Sequence, residues 1–206
     1  MTQPIDTTAP TASYPRRCFG NGIPLYEAYH DHEWGVPVHG EVPLFERLVL
    51  EAFQTGLSWV IILRKRENFR EAFAGFVPDA VARFTEDDVA RLLADTGIVR
   101  NRAKIEAAIA SAKAAVAFRE AGGDLDELVW HHRPARHKRP RSPWDVQAKS
   151  AESIELSKAL KRIGFQFVGP TTAYAAMQAC GLVNDHFRGC TVGDALAKAQ
   201  KEARAA

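Results

Sequence analysis

Cysteine and histidine side chains near the two ends of the chain have the residue types of a metal site. Cys18 and His30 lie close to the start of the sequence, and His186 and Cys190 lie close to its end. Two thiolates and two imidazoles form a closed tetrahedral set that suits Zn²⁺. The spacing of four between His186 and Cys190 lets both side chains face one way on a helical turn or a tight loop. A metal bound there would join the N-terminal segment to the C-terminal one.

The spacing alone leaves a second interpretation of these residues open. Cys18 could be a surface thiol, and His30 could be a polar residue satisfied by its neighbours. The chain also offers competing ligands, which are His32, His39 and Cys180. Three cysteines make an odd count, and no export signal is recognisable, so a disulfide framework is not expected and the thiols remain available for a metal.

A lone acid, Glu51, lies within an apolar run from Leu48 to Phe53. A carboxylate among hydrophobic neighbours is costly to bury unless it is hydrogen-bonded, which makes it a candidate for function. The alternative is an exposed Glu51 that pairs with Arg47 one helical turn earlier. Aromatic residues also occur on both sides of this acid in the sequence, although such residues more often form a core than a ligand site; they are Tyr26, Tyr29, Trp34 and Trp59.

The elements that must position these residues are predicted to be helices. Apolar residues recur at three- and four-residue spacing through residues 44–52, 89–93 and 105–116, which is typical of amphipathic helices. Thr85 followed by Asp88 resembles a capping box, and Pro78 suits the first turn of a helix. Strand-like alternation is nearly absent. The sequence therefore predicts an all-α protein.

A helix, a short glycine-bracketed hairpin and a second helix are predicted in the C-terminal third. The first helix runs from Ser150 to Ile163, the hairpin from Gly164 to Gly169, and the second helix from Thr171 to Cys180. Glycines at both ends permit tight turns, and the free N–H groups at the start of the second helix could bind a phosphate. Glycines are common at any connection between helices, so the pattern does not require a DNA-binding hairpin.

A basic segment, His131–Arg141, interrupts the helical pattern with prolines, arginines and histidines. It is predicted to be a loop. One interpretation is an arm that contacts DNA phosphates, because Arg and Lys neutralise backbone charge. The favoured interpretation is a solvated connection between helical parts of the protein.

Length and composition bound the organisation of the chain. The 206 residues, 46% of them hydrophobic, are enough for one compact domain or two small lobes, and the net charge of +2 argues only weakly for nucleic acid. We expect a disordered tail at residues 1–15, a globular unit at 16–191 and a C-terminal extension at 192–206. No apolar run is long enough to span a membrane, and a cytoplasmic protein is expected.

Six longer motifs, taken in order, resemble the bacterial 3-methyladenine DNA glycosylase I family. The resemblance covers roughly residues 17–190, with one residue fewer between Cys18 and His30 than the family pattern leads us to expect. Residues 131–149 are not recognisable in it. The motifs lie at residues 26–37, 50–59, 66–70, 97–102, 165–169 and 177–186.

This resemblance implies a helix-hairpin-helix DNA glycosylase fold whose hairpin, between Gly164 and Gly169, grips the DNA backbone. It implies one structural Zn²⁺, with the ligands Cys18, His30, His186 and Cys190. It also implies a pocket for a flipped base, lined by Tyr26, Tyr29, Trp34 and Trp59.

Further roles also follow from the resemblance. Glu51 is implied to be the catalytic-site carboxylate that contacts the methylated adenine, and Gly56 and Leu57 match the positions that fill the gap in the base stack. Asp185 lies roughly where many relatives in the wider superfamily have a catalytic aspartate, but it adjoins a zinc ligand and no catalytic role is expected for it.

The implied activity is base-excision repair. A monomeric enzyme would hydrolyse the N-glycosidic bond of 3-methyladenine in double-stranded alkylated DNA and leave an abasic site. No lysine stands at a matched catalytic position, so no strand cleavage is expected. One rival is a zinc-containing protein that binds lesions without chemistry. Another is a hydrolytic metalloenzyme, which a closed four-ligand shell disfavours because no position is left for water.

Overall fold

The computed structural model describes residues 17–202, and this range contains helices, turns and loops without a β-strand. The predicted all-α class is confirmed. The predicted tail at residues 1–15 lies outside the described residues. The helices are α1 (Pro24–His32), α2 (Glu41–Gln54), α3 (Trp59–Ala72), α4 (Pro78–Val81), α5 (Glu86–Ala94), α6 (Arg102–Glu120), α7 (Leu125–His131), α8 (Ala151–Ile163), α9 (Pro170–Ala179) and α10 (Thr191–Glu202).

Local sequence signals determine where several of these helices begin. Thr85 and Asp88 form the predicted capping box at the start of α5, and Pro78 occupies the first turn of α4. At α6 the Asn101 side chain accepts a hydrogen bond from the Lys104 backbone N–H over 3.1 Å. Each cap satisfies backbone groups that the helix cannot pair by itself. None of the helices within residues 17–202 has the length and apolar composition needed to cross a membrane.

Helix α2 lies at the centre of the hydrophobic core and packs against α3, α6, α7 and α9. Its buried residues follow one another without a break from Leu48 to Phe53, so most of its circumference is covered by other helices. A helix that is apolar nearly all round is a buried helix. Glu51, which interrupts this apolar run, is therefore carried into the interior.

Helices α8 and α9 pack against each other and are joined by the predicted hairpin. Gly164 ends α8 in the left-handed region with φ of +112°, which favours glycine. The Ser157 hydroxyl donates to the Val168 carbonyl over 2.6 Å and closes the hairpin. Gly169 has φ of −65°, which any residue can adopt, so the backbone there does not depend on glycine. A Cβ at Gly169 would meet no atom within 4 Å, and the backbone is open to approach.

The basic segment is partly an internal connection. His137 Nε2 lies 2.7 Å from Asp185, and the Arg139 guanidinium donates to the His186 and Phe187 carbonyls over 3.0 and 2.7 Å. Arg139 also pairs with Asp194 of α10 over 2.6 Å. These side chains hold the segment against the C-terminal part of the chain. The remaining basic side chains that the structure leaves exposed include Arg136, Lys138 and Arg141.

Candidate functional site

A cavity of about 460 Å³ lined by aromatic residues lies beside the C-terminal end of α2. Glu51 reaches it from α2, and aromatic rings enter it from α1, from the residues that follow α1, and from the start of α3. The four aromatic residues that the resemblance implied for a base pocket line it, and so does Glu51, which was expected to contact the base. The complete lining is Cys18, Phe19, Tyr26, Tyr29, Trp34, Glu51, Gln54, Trp59, Pro143, Val146, Ala175, Gln178 and Phe187.

The aromatic rings of the cavity support one another. Tyr29 lies 5.3 Å from Trp59 and 6.4 Å from Tyr26 between ring centroids, and Phe19 packs 4.7 Å from Tyr26 and 4.9 Å from Trp34. Such contacts fix ring orientation and leave ring surface at the wall of the cavity. The arrangement suits a flat aromatic ligand, and electron-rich faces of this kind attract positive charge.

Glu51 is buried, with 5% of its surface exposed, and no described residue hydrogen-bonds its carboxyl group. Burial raises the pKa of Glu51 to about 8, while the positive charge of Arg47 acts in the opposite direction. The alternative of an exposed Glu51 paired with Arg47 is wrong. Arg47 instead donates to Glu33 over 2.8 Å. A buried carboxyl group without a partner is ready to bind a cation or a hydrogen-bond donor.

Trp59 also brings a buried polar atom to the cavity wall. Its ring is 8% exposed, and its indole Nε1 has no hydrogen-bond partner within the described part of the chain. Buried N–H groups in folded proteins are nearly always paired, and an exception calls for an explanation. The acid and the indole therefore give the cavity an acceptor and a donor for a ligand.

Sequence reasoning missed several residues of the cavity. Gln54 follows Glu51 by three positions and so shares its face of α2, which the helical period could have shown. Phe19 adjoins the predicted ligand Cys18. Gln178 and Phe187 come from distant parts of the chain, and no local pattern links them to the aromatic residues.

A short turn between α2 and α3 carries Gly56 and Leu57 beside the cavity. Gly56 has φ of +82°, and Leu57 is 38% exposed although it is apolar. Lys104 stabilises the base of this turn, because its Nζ donates to the Phe53 and Thr55 carbonyls over 2.8 and 2.6 Å. Burial lowers the pKa of Lys104. The contacts place a cation at the C-terminal end of α2, where the helix dipole favours it.

The four predicted metal ligands come together, although residues 18 and 190 lie at opposite ends of the described chain. Their ligand atoms all lie within 4.8 Å of one another. His186 Nδ1 is 3.2 Å from His30 Nε2, 3.4 Å from Cys190 Sγ and 3.7 Å from Cys18 Sγ, and Cys190 Sγ is 3.6 Å from His30 Nε2. Bonds of about 2.0–2.3 Å in a tetrahedron require edges of about 3.3–3.8 Å. The geometry fits one metal ion.

Neighbouring groups orient these ligands. His30 Nδ1 lies 2.9 Å from Asp31, which Arg17 holds with bonds of 2.6–2.9 Å, and His186 Nε2 lies 2.8 Å from the Trp34 carbonyl. In both histidines the outer nitrogen can donate to an oxygen, so the inner nitrogen carries a lone pair that can bind a metal. In His30 this lone pair accepts the Cys18 backbone N–H over 3.1 Å. The competing ligands lie elsewhere: His39 bonds Asp126, His32 is exposed, and Cys180 is buried outside the cluster.

Burial sets the charge preferences of the cluster. It raises the pKa of the Cys18 thiol to about 12, and the neighbouring Cys190 acts in the same direction. It lowers the pKa of His186 to about 4 and keeps the imidazole neutral. A neutral imidazole is a ready ligand, and a bound cation would favour the thiolate form of the cysteines.

Asp185 does not line the aromatic cavity. Its carboxylate accepts hydrogen bonds from the Tyr174 hydroxyl over 2.8 Å and from the Gln178 amide over 2.7 Å, and His137 lies 2.7 Å away. These hydrogen bonds lower its pKa although burial opposes them. The arrangement is that of a structural carboxylate between α9 and the basic segment.

The chain resembles known proteins over most of its length. Residues 20–193 match a family model described as methyladenine glycosylase. A DNA-3-methyladenine glycosylase 1 of Escherichia coli (strain K12) is 47% identical over 170 residues, which are 81% of this chain and 90% of that protein.

Solved structures give the same relationship. A crystal structure of a 3-methyladenine DNA glycosylase I superposes with a TM-score of 0.82 at 45% identity and covers 85% of this chain and 98% of that one. A Staphylococcus aureus 3-methyladenine DNA glycosylase I, solved for the structural basis of 3-methyladenine recognition, gives 0.81 at 35% identity, with coverage of 85% and 95%.

Proposed function

The chain belongs to the methyladenine glycosylase family, and from this membership and the aromatic cavity we propose that it is a base-excision repair enzyme for 3-methyladenine. It hydrolyses the N-glycosidic bond of that base in double-stranded DNA and leaves an abasic site. The observation that carries the proposal is the cavity itself, in which a buried acid that no described residue hydrogen-bonds lies among electron-rich rings.

Recognition of the base rests on charge and shape. Methylation at N3 makes the adenine of the nucleotide cationic, and a cation stacks favourably on rings such as Tyr29 and Trp59. Glu51 accepts a hydrogen bond from the exocyclic amine, and its negative charge is favoured once the cationic base is bound. An unmodified base brings no charge to offset the cost of ionising a buried acid. Selectivity therefore comes from the pairing of these two charges.

Access to the base requires base flipping, since the glycosidic bond is not reachable within a stacked duplex. Leu57, exposed on its turn next to the cavity, fills the gap in the stack, and Gly56 allows close approach of the DNA. The hairpin between Gly164 and Gly169 holds the backbone, and the open space at Gly169 beside the start of α9 suits a phosphate.

Hydrolysis needs little from the protein beyond electrostatic support. The positive charge of the methylated base already weakens its bond to the sugar, and Glu51 stabilises charge as the bond breaks. Water then attacks C1′ of the oxocarbenium-like sugar. The enzyme is monofunctional: the buried lysine of the described chain, Lys104, donates to two carbonyls outside the cavity lining and is not a nucleophile.

Cys18, His30, His186 and Cys190 would hold one structural Zn²⁺. Zinc supplies a cross-link between the two ends of the domain, because four protein donors complete its shell. The cysteines favour zinc over the harder cations, which prefer oxygen ligands. The closed donor set also disfavours a hydrolytic metalloenzyme.

The test measures free 3-methyladenine released from alkylated duplex DNA, together with DNA affinity. Wild type releases the base, and Glu51→Gln binds a duplex with an abasic analogue as wild type does but releases base at least about 100-fold more slowly. Glu46→Gln, which removes another acid of α2 outside the cavity lining, serves as the control and keeps the wild-type rate. Wild-type protein that binds damaged DNA without freeing base would refute the enzyme and favour a lesion-binding protein.

A further inference from the structure

Trp144 is 94% exposed, whereas the other exposed large hydrophobic residues of the described chain are 38–43% exposed. A tryptophan exposed to water does not gain the free energy of burying its large ring, and tryptophan is enriched among the residues that contribute most to binding. Its exposure therefore points to a partner that covers it.

The turn that carries Trp144 is held in a fixed shape. Pro143–Asp145 form a single 3₁₀ turn, and the Asp145 carboxylate accepts hydrogen bonds from the Arg141 N–H, the Ser142 N–H and the Ser142 hydroxyl over 2.9, 3.0 and 3.2 Å. Pro143 restricts the backbone further. The indole is thus presented to solvent from a preorganised turn, which lowers the entropic cost of using it in binding.

The position of this turn identifies the partner. Pro143 and Val146, on either side of Trp144, line the aromatic cavity. Trp144 is therefore presented from a turn that forms part of the cavity wall, beside the space that a flipped nucleotide would enter. Exposed cations precede and follow the turn, and among described residues Arg136, Lys138 and Lys149 make no salt bridge. Aromatic surface beside unpaired positive charge is the combination that binds nucleic acid strands.

We propose that Trp144 is a DNA-binding residue that packs against the nucleotide next to the flipped base. The proposal rests on the proposed function, since it assumes that DNA enters the aromatic cavity. Leu57 fills the gap in the stack, and Trp144 contacts the strand at the part of the rim formed by Pro143 and Val146. Stacking of an indole on a base or sugar tolerates any sequence, as suits an enzyme that must act wherever damage occurs.

The test compares full-length, metal-loaded Trp144→Ala and Trp144→Phe with wild type. Affinity is measured for a duplex containing an abasic analogue, and for free 3-methyladenine. Trp144→Ala weakens duplex binding by about five- to 150-fold, while Trp144→Phe retains most of it. Free-base affinity and melting temperature stay at the wild-type level in both. Val77→Ala, which truncates another exposed apolar residue outside the cavity lining, leaves duplex affinity unchanged.

Equal duplex affinity of Trp144→Ala and wild type would overturn the proposal. So would a wild-type dimer that Trp144→Ala dissociates without loss of DNA affinity, because a second copy would then be the partner. Failure of the proposed function gives a different pattern: wild type would release no base, although the affinity difference between wild type and Trp144→Ala could still be present.

Discussion

The backbone N–H of Phe187 donates to Cys18 Sγ over 3.0 Å, and both residues also line the aromatic cavity. The wall of the aromatic cavity and the cluster of candidate metal ligands therefore share residues and are joined by this hydrogen bond. Trp34 strengthens the connection, because its ring lines the cavity and its carbonyl lies 2.8 Å from His186 Nε2. A metal bound by the cluster would therefore brace part of the cavity wall.

Loss of the metal is accordingly expected to damage base binding as well as stability. Cys190→Ser lowers zinc content from about one ion per chain to near zero, lowers the melting temperature and weakens free 3-methyladenine binding by about tenfold or more, since the pocket wall loses its cross-link. The measurements are metal analysis, calorimetry and base titration. Cys180→Ser, which changes the buried cysteine outside the cluster, keeps its zinc. Full zinc content in Cys190→Ser would contradict the assignment.

Asp31 offers a subtler test of the same cluster. Asp31→Asn keeps all four ligands but replaces the carboxylate that orients His30 with a neutral amide. Zinc affinity is therefore expected to fall by about 10- to 100-fold. Competition with a chelator measures this change. An unchanged zinc affinity would mean that Asp31 pairs with Arg17 but does not orient His30 for the metal.

Glu51 predicts a dependence of stability and activity on pH. Its pKa in the folded protein is about 8, above the ordinary value of 4.5. The free energy of unfolding therefore falls as the pH rises from about 4.5 to 8, and above pH 8 the full loss applies. Glu51→Gln is therefore expected to raise the melting temperature more at pH 9 than at pH 5. The wild-type kcat/KM should rise through an apparent pKa near 8, because the ionised carboxylate binds the cationic base. A flat profile from pH 6 to 9 would contradict this role.

Lys104 is predicted to position the turn that bears Leu57. Lys104→Met removes the donor to the Phe53 and Thr55 carbonyls, which costs about 1–3 kcal/mol of stability. Affinity for abasic-analogue DNA should fall by about tenfold while free-base affinity changes little, because the cavity lining is intact. Lys65→Met, which removes a single 2.7 Å bond to the Thr96 carbonyl, is the matched control and keeps wild-type DNA affinity. Equal losses in both affinities would instead indicate general misfolding.

The two hairpin glycines are predicted to fail in different ways. Gly164→Ala places a Cβ at φ of +112° and 3.0 Å from the Ala114 Cβ, so unfolding free energy falls by about 1–2 kcal/mol. Gly169→Ala meets no neighbour and keeps its stability, but its methyl group blocks a phosphate and weakens DNA binding. Thermal melts and duplex titrations separate the two effects. Wild-type DNA affinity in Gly169→Ala would remove the hairpin from the binding surface.

The sequence predicts the helices well where its signals are local. The capping box at Thr85 and the glycine turn at Gly164 depend on neighbouring residues, and both are found. Contacts between residues far apart in the chain are harder to predict from the sequence. Spacing alone left the four metal ligands as one option among several, because nothing in the chain near Cys18 indicates that Cys190 lies beside it.

The burial of Glu51 shows a second limit of prediction from the sequence. An acid with Arg47 one turn earlier fits either an exposed ion pair or a buried site, and only the packing of α2 on several sides decides between them. Gln178 and Phe187 join the cavity through contacts between segments far apart in sequence. Such residues become visible only when the helices are assembled.

Helix α2 bears Glu51 near its end, and the turn with Leu57 begins directly after it. Because the turn follows directly from the helix, the last residues of α2 set the distance between the Glu51 carboxyl group and the Leu57 side chain. The end of α2 thus fixes the spacing of these two side chains. A residue inserted between Gln54 and Leu57 would lengthen this distance and would leave both side chains in place.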